Sequence, residues 1–455
     1  MDSSARAWTS PTLDGQLYGE PLVFGDRVYV GTENDFVYAL SAATGKIIWS
    51  AKLGTTVYAS THLLCSDILP NVGITGTPVI DPARHEIFAV ALVLVNGKPA
   101  HMLTGLNTAT GAVELSQDVD PPGQAPANLL QRTGLTLDDG NVYFGFGGNT
   151  EMCGTYHGRV VSVPEAGGTP HFFTTTMEPG DGRGAVWMGG GAPAVSANGD
   201  IWVETGNSLE FSNKDPYDYS EAVIELSPSL HVVQFFTPAD WASDDDNDLD
   251  MSAEPVLLSD GQVILAGKSQ VIYLLNGDHL GGIGKQEAEL SPVCSTNIDG
   301  GGAHVGMVAY LPCTSGVIAV RATKSPATLH LLWTAAVAGG PPIVAGGLVW
   351  TVGRNGNLYG LNPATGKVVQ QAAVGTPANH FPTPGIGAGL MLVPAAQNVV
   401  AFRTTAGPDQ DTGAVTYSPP RQADDAPLIA GVALGCAAAA AASGWFFWMR
   451  RRRQA

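Results

Sequence analysis

Tyr38-Ala-Leu-Ser-Ala-Ala-Thr-Gly45-Lys46 is an apolar strand end, a small and polar turn closed by Thr-Gly, and the start of a new strand. Leu103-Thr-Gly-Leu-Asn-Thr-Ala-Thr-Gly111 and Tyr359-Gly-Leu-Asn-Pro-Ala-Thr-Gly366-Lys367 repeat the pattern. Glycine is needed where a hairpin demands positive φ, and a Thr or Asn side chain can cap the turn. Weaker copies fill the gaps. The apolar residue just ahead of each turn is Leu40, Leu106, Val163, Leu226, Leu275, Val320, Leu361 and Phe402, at steps of 66, 57, 63, 49, 45, 41 and 41 residues. A second apolar strand follows a Gly- or Asp-bearing turn upstream, as in Gly25-Asp-Arg-Val-Tyr-Val30, Asp138-Asp-Gly-Asn-Val-Tyr-Phe144 and Gly346-Gly-Leu-Val-Trp-Thr351. Short strands joined by hairpins, with no helical period, predict an all-β chain of eight four-stranded units arranged radially. The expectation is an eight-bladed β-propeller over residues 1–405.

The eighth unit runs short, because the chain turns polar after Phe402. Trp8-Thr9 with Leu13-Asp-Gly15 echoes Trp49-Ser50 with Leu53-Gly54, and Trp333-Thr334 with Val337-Ala-Gly339. An N-terminal strand is therefore expected to complete the last blade and remove its open edge. Residues 406–427, rich in Pro, Asp, Thr and Ser, read as a flexible stalk.

Beyond the stalk, Leu428 to Met449 is a run of 22 residues without a charge. As a helix it would cover about 33 Å, enough to cross a bilayer core. Arg450 to Arg453 follow at once and form a basic tail over residues 450–455. The expectation is a single transmembrane helix with the arginines in the cytoplasm and the propeller outside it. Met1-Asp2-Ser3-Ser4 has neither the basic start nor the apolar stretch of a secretion signal, so a leader upstream of the given chain is expected.

The charge balance narrows the function. The 455 residues carry 22 basic against 41 acidic side chains, a net −19, and only 14% are charged. Setting the four tail arginines aside leaves 18 against 41, or −23. A nucleic-acid binder needs a basic footprint, and none exists outside the tail. An acidic propeller would instead recruit basic protein partners or divalent cations. Of five cysteines, Cys436 falls in the apolar run, while Cys65, Cys153, Cys294 and Cys313 fall in the repeats. In an oxidising space four cysteines allow three pairings. Cys294 and Cys313 flank the first two strands of one blade, so the expected bridges are Cys294–Cys313 and Cys65–Cys153. No CxxC or CxxCH is present, which argues against a redox dithiol and covalent c-type haem. The Gly-rich run Gly180 to Gly191 is not within a βαβ unit, so it is no dinucleotide fingerprint.

The Ala-Thr-Gly-Lys repeat with its Trp a few residues on resembles the PQQ-like repeat of eight-bladed quinoprotein-type β-propellers, over roughly residues 6–405. That family includes PQQ-dependent alcohol dehydrogenases and also non-catalytic propellers such as outer-membrane assembly lipoproteins. The resemblance implies specific roles in the stretch Trp187 to Asp250. Trp187 would be the floor on which a quinone lies, and Asn207, in Thr205-Gly-Asn207, a Ca²⁺ ligand. Asp240 or Asp244, following Thr237-Pro-Ala, would be the catalytic base. Three features depart from the family pattern. Cys153-Gly-Thr-Tyr-His157-Gly158 has no carboxylate where the family has a ligating Glu, the adjacent Cys-Cys pair is missing, and Ala239 stands in place of a His. Asp244, Asp246 and Asp248 invite a cation by themselves, but Leu249 and Pro255 occupy the positions where an EF-hand needs Gly and Glu. The favoured expectation is an extracytoplasmic, membrane-anchored binding or scaffold module. The alternative is a PQQ- and Ca²⁺-dependent dehydrogenase of an alcohol or sugar.

Overall fold

The computed structural model describes residues 6–152, 154–178, 180–209, 216–379 and 381–404. They form eight sheets, each a blade of an all-β propeller, antiparallel except where Val232–Thr237 pairs in parallel with Gly282–Ile283. Blade 1 is Leu22–Phe24, Arg27–Gly31, Phe36–Ser41 and Ile47–Lys52 in sequence order from the inside outward. Blades 2 to 7 follow in chain order. Blade 8 is Gly385–Gly387, Leu390–Ala395 and Asn398–Arg403, and its outermost strand is Arg6–Thr9. Trp8 pairs with Ala401 and Thr9 with Val400, so the N-terminal strand closes the last sheet as the echo of Trp8 with Trp49 predicts.

The core confirms the ring. Its buried clusters lie between neighbouring blades, with Val28, Tyr38 and Leu40 packing on Leu390, Leu392 and Val399 across the closure. Tyr143, Val160 and Val186 meet Val203 and Ile224 between blades 3 and 4. All eight repeat markers, from Leu40 to Phe402, are buried. Strands that pack sheet against sheet on both faces leave few positions for charge, which accounts for the low charged fraction.

Three tryptophans join successive blades. Trp8 lies on Gly45, Trp49 on Gly111 and Trp333 on Gly366, each indole covering the Thr-Gly turn of the next blade. Their Nε1 atoms donate to Ala42 O, Thr108 O and Pro363 O at 2.7, 3.1 and 2.9 Å. A Cβ on any of these glycines would overlap the indole, and all three have positive φ.

The residues leading into each innermost strand line the propeller axis. Gly190, ahead of blade 4, lies against Pro341, ahead of blade 7, and Thr383, ahead of blade 8. Groups from such distant blades can touch only at the centre. Blades 2 to 5 carry long insertions around this centre, including the helices Ala59–His62 and Trp241–Asp246.

Cys294 and Cys313 are disulfide-bonded as expected. Cys65 is also disulfide-bonded, and Cys153, its expected partner, lies outside the described residues. Among the described residues no helix is long and apolar enough to cross a membrane. The stalk, Leu428–Met449, Cys436 and the arginine tail also lie outside them.

Candidate functional site

A cavity of about 410 Å³ opens at the centre of the ring, within the range of small-molecule sites. Tyr18, Arg132, Trp187, Asp250, Lys268 and Phe381 are among the residues that line it. The repeat itself delivers its polar side chains. In blades 3, 4 and 5 the second strand ends at Gly148, Thr205 and Ala266. Two or three residues further on, the hairpin turns present Glu151, Asn207 and Lys268 in nearly the same register. The segment leading into blade 5 adds Asp248 and Asp250.

These groups converge. Carboxylate oxygens of Glu151, Asp248 and Asp250 lie within 4.8 Å of one another. The Asn207 side-chain amide donates from Nδ2 to Glu151 Oε1 and Asp248 Oδ1, both at 3.3 Å. Asp250 Oδ1 accepts from the Asn207 backbone N–H at 2.8 Å and from Trp187 Nε1 at 3.2 Å. Lys268 Nζ reaches Asp248 Oδ1 at 2.6 Å and also bonds Asp250 Oδ2. A side chain at Gly206 would overlap Asp250, so the Thr205-Gly-Asn207 turn has no room for anything larger than glycine there. The Arg132 guanidinium sits 5.4 Å from the Trp187 ring and 4.6 Å from the Phe381 ring, a cation held between two aromatic faces.

The electrostatics are those of a site crowded with negative charge. Burial, then the carboxylates of Asp248 and Asp250, push the Glu151 carboxyl up to about 7. Burial also raises Asp250, against the pull of Lys268. At Asp248 burial is outweighed by Lys268 and Glu151, and its carboxyl falls below the usual range. Burial works against the Lys268 charge, but Asp250 and Asp248 outweigh it and keep the ammonium protonated. Glu151 thus holds a proton near neutrality in a position where a cation would serve the same purpose.

The residues fit a hard divalent ion. The three carboxylates offer oxygen donors, the hard ligands that Ca²⁺ takes. Asn207 Oδ1 is buried without a hydrogen-bond partner, while its Nδ2 faces two carboxylates. Turning the amide over exchanges the two atoms and adds a fourth oxygen to the group.

Of the residues singled out by sequence, Trp187, Asn207 and Asp248 come together. Asp240, Asp244 and Asp246 do not line the cavity. Asp240 is exposed just ahead of the helix Trp241–Asp246, and Asp246 is exposed at its end. Asp244 is buried on that helix, and burial with the nearby Asp240 raises its carboxyl to about 7. The next residue, Asp245, ties the helix to the Asn207 turn through Ser208 N at 2.8 Å and Ser208 Oγ at 2.9 Å. Sequence reasoning misses Glu151, Asp250, Lys268 and Arg132. The carboxylate sought between Cys153 and Gly158 is present two residues earlier, at Glu151. The register of the blade hairpins is the signal that could have found it.

Comparison with known proteins places the fold in context. The family model described as outer membrane protein assembly factor BamB matches residues 2–170 and 317–442, more than half the chain. The chain belongs to that family. The match leaves out residues 171–316, which hold Trp187, Asn207, Asp248, Asp250 and Lys268. Two curated relatives are polyvinylalcohol dehydrogenases. One, from Sphingopyxis sp. (strain 113P3), is 25% identical over 442 residues, covering 80% of this chain and 62% of the relative. The other, from Pseudomonas sp., is 23% identical over 311 residues, covering 59% and 44%. The chain therefore spans less than two thirds of either relative's length. Among solved structures, BamB from Moraxella catarrhalis superposes with a TM-score of 0.60 at 13% identity, covering 88% of this chain and 99% of that one. The quinohemoprotein alcohol dehydrogenase ADHIIG from Pseudomonas putida HK5 gives 0.66 at 13%, covering 92% and 78%. The Comamonas testosteroni quinohemoprotein alcohol dehydrogenase gives 0.62 at 14%, covering 88% and 77%.

Proposed function

We propose that this protein is a quinoprotein dehydrogenase that binds PQQ and Ca²⁺ and oxidises an alcohol. One observation carries the reading: the convergence of Glu151, Asp248, the buried Asp250, Asn207 and Lys268 at a cavity beside Trp187. A scaffold has no use for three crowded carboxylates and an orphaned amide oxygen, because such groups destabilise a fold unless something binds them. All of its members but Glu151 fall in the stretch that the BamB family model does not match.

Glu151, Asp248 and the Asn207 oxygen would hold the cation, with Asp250 completing the set. Bound PQQ would supply a two-electron acceptor whose carbonyl the cation polarises. Trp187 offers a flat face for a planar ligand, and Arg132 a guanidinium for its carboxylates. Trp187 Nε1 and the Asn207 N–H hold one Asp250 oxygen in place. The other oxygen, paired with Lys268, would take the hydroxyl proton of the substrate as the C–H bond breaks. Lys268 pulls the Asp250 carboxyl down against the rise its burial causes, which favours the anion that a base needs. The polyvinylalcohol dehydrogenase relatives make a secondary alcohol the first substrate to try. A disulfide-bonded propeller suits an oxidising compartment outside the cytoplasm, with the apolar run Leu428–Met449 as its anchor.

The test is reconstitution. Purified protein given PQQ and CaCl₂ is expected to bind one quinone with a change in its absorbance, and to reduce a redox dye when a secondary alcohol is added. No absorbance change and no dye reduction at saturating PQQ and Ca²⁺ would overturn the reading.

A further inference from the structure

The seam between blades 1 and 2 holds a second group of buried acids, outside the cation group of blades 3 to 5. Residues 32–36 turn between the second and third strands of blade 1, Arg27–Gly31 and Phe36–Ser41. In that turn Thr32 N donates to Phe36 O at 2.9 Å and Asp35 N to Thr32 O at 3.0 Å. Blade 7 makes the same two bonds, from Gly353 N to Asn357 O at 2.7 Å and from Gly356 N to Gly353 O at 3.0 Å. Glu33 thus corresponds to Arg354, and Asp35 to Gly356. Their surroundings differ. Arg354 is exposed, and Gly356 has φ +80°, the left-handed backbone that suits glycine. Glu33 is 3% exposed, and Asp35 is fully buried at φ +64°. A side chain held in that strained region persists where its surroundings require it.

Blade 2 is shaped to receive both acids. Glu33 Oε2 accepts from the Gly73 backbone N–H at 2.7 Å and from Thr75 Oγ1 at 3.2 Å. A Cβ on Gly73 would lie 2.6 Å from Glu33 O and 2.7 Å from Asp35 Oδ1. Gly73 has no positive φ, so room for these oxygens explains the glycine and backbone freedom does not. Asn71, in the short strand Asn71–Val72, donates from Nδ2 to Asn34 Oδ1, and Asn34 Nδ2 donates to Asp14 Oδ1 at 2.5 Å. That run of amides orients the Asn71 side chain.

Four oxygens of this group are buried with no hydrogen-bond partner among the described residues: Glu33 Oε1, Asp35 Oδ1, Asp35 Oδ2 and Asn71 Oδ1. Asn71, like the two acids, is more than nine-tenths buried, at 8% exposure. Glu33, Asn34 and Asn71 line one small cavity of about 110 Å³. Burial raises the Glu33 carboxyl to about 7, against its bonds from Gly73 and Thr75. Burial raises Asp35 to about 8, and the charge of Glu33 adds to the rise. The Thr56 hydroxyl, outside hydrogen-bonding geometry, and Lys52 oppose it, but the Lys52 ammonium lies over the Phe36 ring, 5.2 Å from its centre. Buried oxygens left in this state destabilise a fold unless something binds them.

We infer that Glu33, Asp35 and Asn71 hold a second divalent cation, of the calcium class, which clamps the hairpin of blade 1 to the inner edge of blade 2. The donors are hard oxygens, and two carboxylates match the two charges of the ion. The small cavity leaves room for water to complete a shell of about six to eight oxygens. Thr75, bonded to Glu33, is also a wall of the large cavity, so the clamp braces that wall from behind. Such an ion takes no part in chemistry and stands independently of the dehydrogenase reading.

Asp35→Asn keeps the shape of the side chain and a residue type that tolerates the left-handed backbone. Glu33→Gln removes a charge from the same group away from the strained position. The test is calorimetric titration of CaCl₂ into chelator-treated protein without PQQ. Two classes of bound ion are expected in the wild type. Asp35→Asn and Glu33→Gln should each weaken one class at least about tenfold and leave the other, which Glu151→Gln weakens instead. Added Ca²⁺ should raise the melting temperature of Glu151→Gln, and no longer do so once Asp35→Asn is combined with it. A single class, weakened by Glu151→Gln and untouched by Asp35→Asn and Glu33→Gln, overturns the second ion and leaves the cavity site standing. A single class weakened only by Asp35→Asn and Glu33→Gln supports the second ion and removes the cavity site. A wild type that binds no Ca²⁺ overturns both.

Discussion

The arc of blades 6, 7, 8 and 1 and the arc of blades 3, 4 and 5 are built from one repeat and put it to different uses. In the first, Val320, Leu361 and Phe402 follow one another at even steps of 41 residues, and Trp333, Trp8 and Trp49 each cover the next Thr-Gly turn. In the second, steps of 57 and 63 residues lead to Val163 and Leu226, and the added chain crowds the axis. The same hairpin position shows the contrast directly. Arg354, in Gly353-Arg-Asn-Gly356 of blade 7, is exposed. Lys268, in Gly267-Lys-Ser-Gln270 of blade 5, is drawn into an ion pair because the lead-in of its own blade brings Asp248 and Asp250 beneath it. The repeat supplies the position of a side chain, and the insertions supply its neighbours.

Substitutions in the two arcs should therefore fail in different ways. Asp250→Asn is expected to lower dye-linked alcohol oxidation by about 10²–10⁴-fold, as loss of a positioned base does, with a melting temperature close to that of the wild type. Comparable loss of both would make Asp250 a structural group. Trp333→Ala opens the seam between blades 6 and 7 and is expected to destabilise by about 3–5 kcal/mol, read as a lower denaturation midpoint with Ca²⁺ affinity unchanged. Glu151→Gln should weaken Ca²⁺ binding at the cavity by calorimetry about 10- to 100-fold, while leaving that midpoint nearly where it was. Wild-type Ca²⁺ affinity at the cavity should rise as pH passes upward through about 7, because the proton on Glu151 competes with the ion. That dependence should flatten in the Gln variant. The smallest effect concerns the axis. Glu20 holds its proton to about pH 8 in the folded chain and loses it earlier when unfolded, so its contribution is present at acid pH and is lost as pH rises through 8. Glu20→Gln should accordingly melt higher than wild type at pH 9, with the gap closing towards pH 5. A gap that widened at low pH would reverse the sign of the argument.

The fold was legible because its evidence is local. A strand end, a Thr-Gly turn and a tryptophan lie within a dozen residues, and every marker from Leu40 to Phe402 is buried as that pattern requires. Even the closing strand could be read, since Trp8 repeats the context of Trp49. The candidate site was only half legible because its members meet through ring closure. Trp187 and Asn207 carry a family pattern, whereas Arg132 and Phe381 are nearly 250 positions apart and touch only when blades 3 and 8 face the axis. The acidic run misled for a local reason. Residues 241–246 form a helix that takes Asp244 and Asp246 away from the cavity; of the later acids Asp250 lines it, and Asp248 joins Asp250 and Glu151 beside it. The expected scaffold role rested on three departures from the family pattern; Glu151 supplies the carboxylate from just outside Cys153–Gly158, while the adjacent cysteine pair and a His at Ala239 remain absent.

The pairing of Arg6–Thr9 with Asn398–Arg403 has a consequence for how the molecule is made. Of the described strands the first made pairs with the last, so the ring behaves as a clasp that cannot be fastened until residues 398–403 have been made. Tyr18 and Phe381 are both walls of the cavity and stand on either side of that clasp. Until it shuts there is no enclosed space for a cofactor to enter. Under the dehydrogenase reading, loading would therefore follow completion of the propeller, and a chain cut short before residue 398 would carry Glu151, Asn207, Asp248 and Asp250 and still have nowhere to keep a quinone.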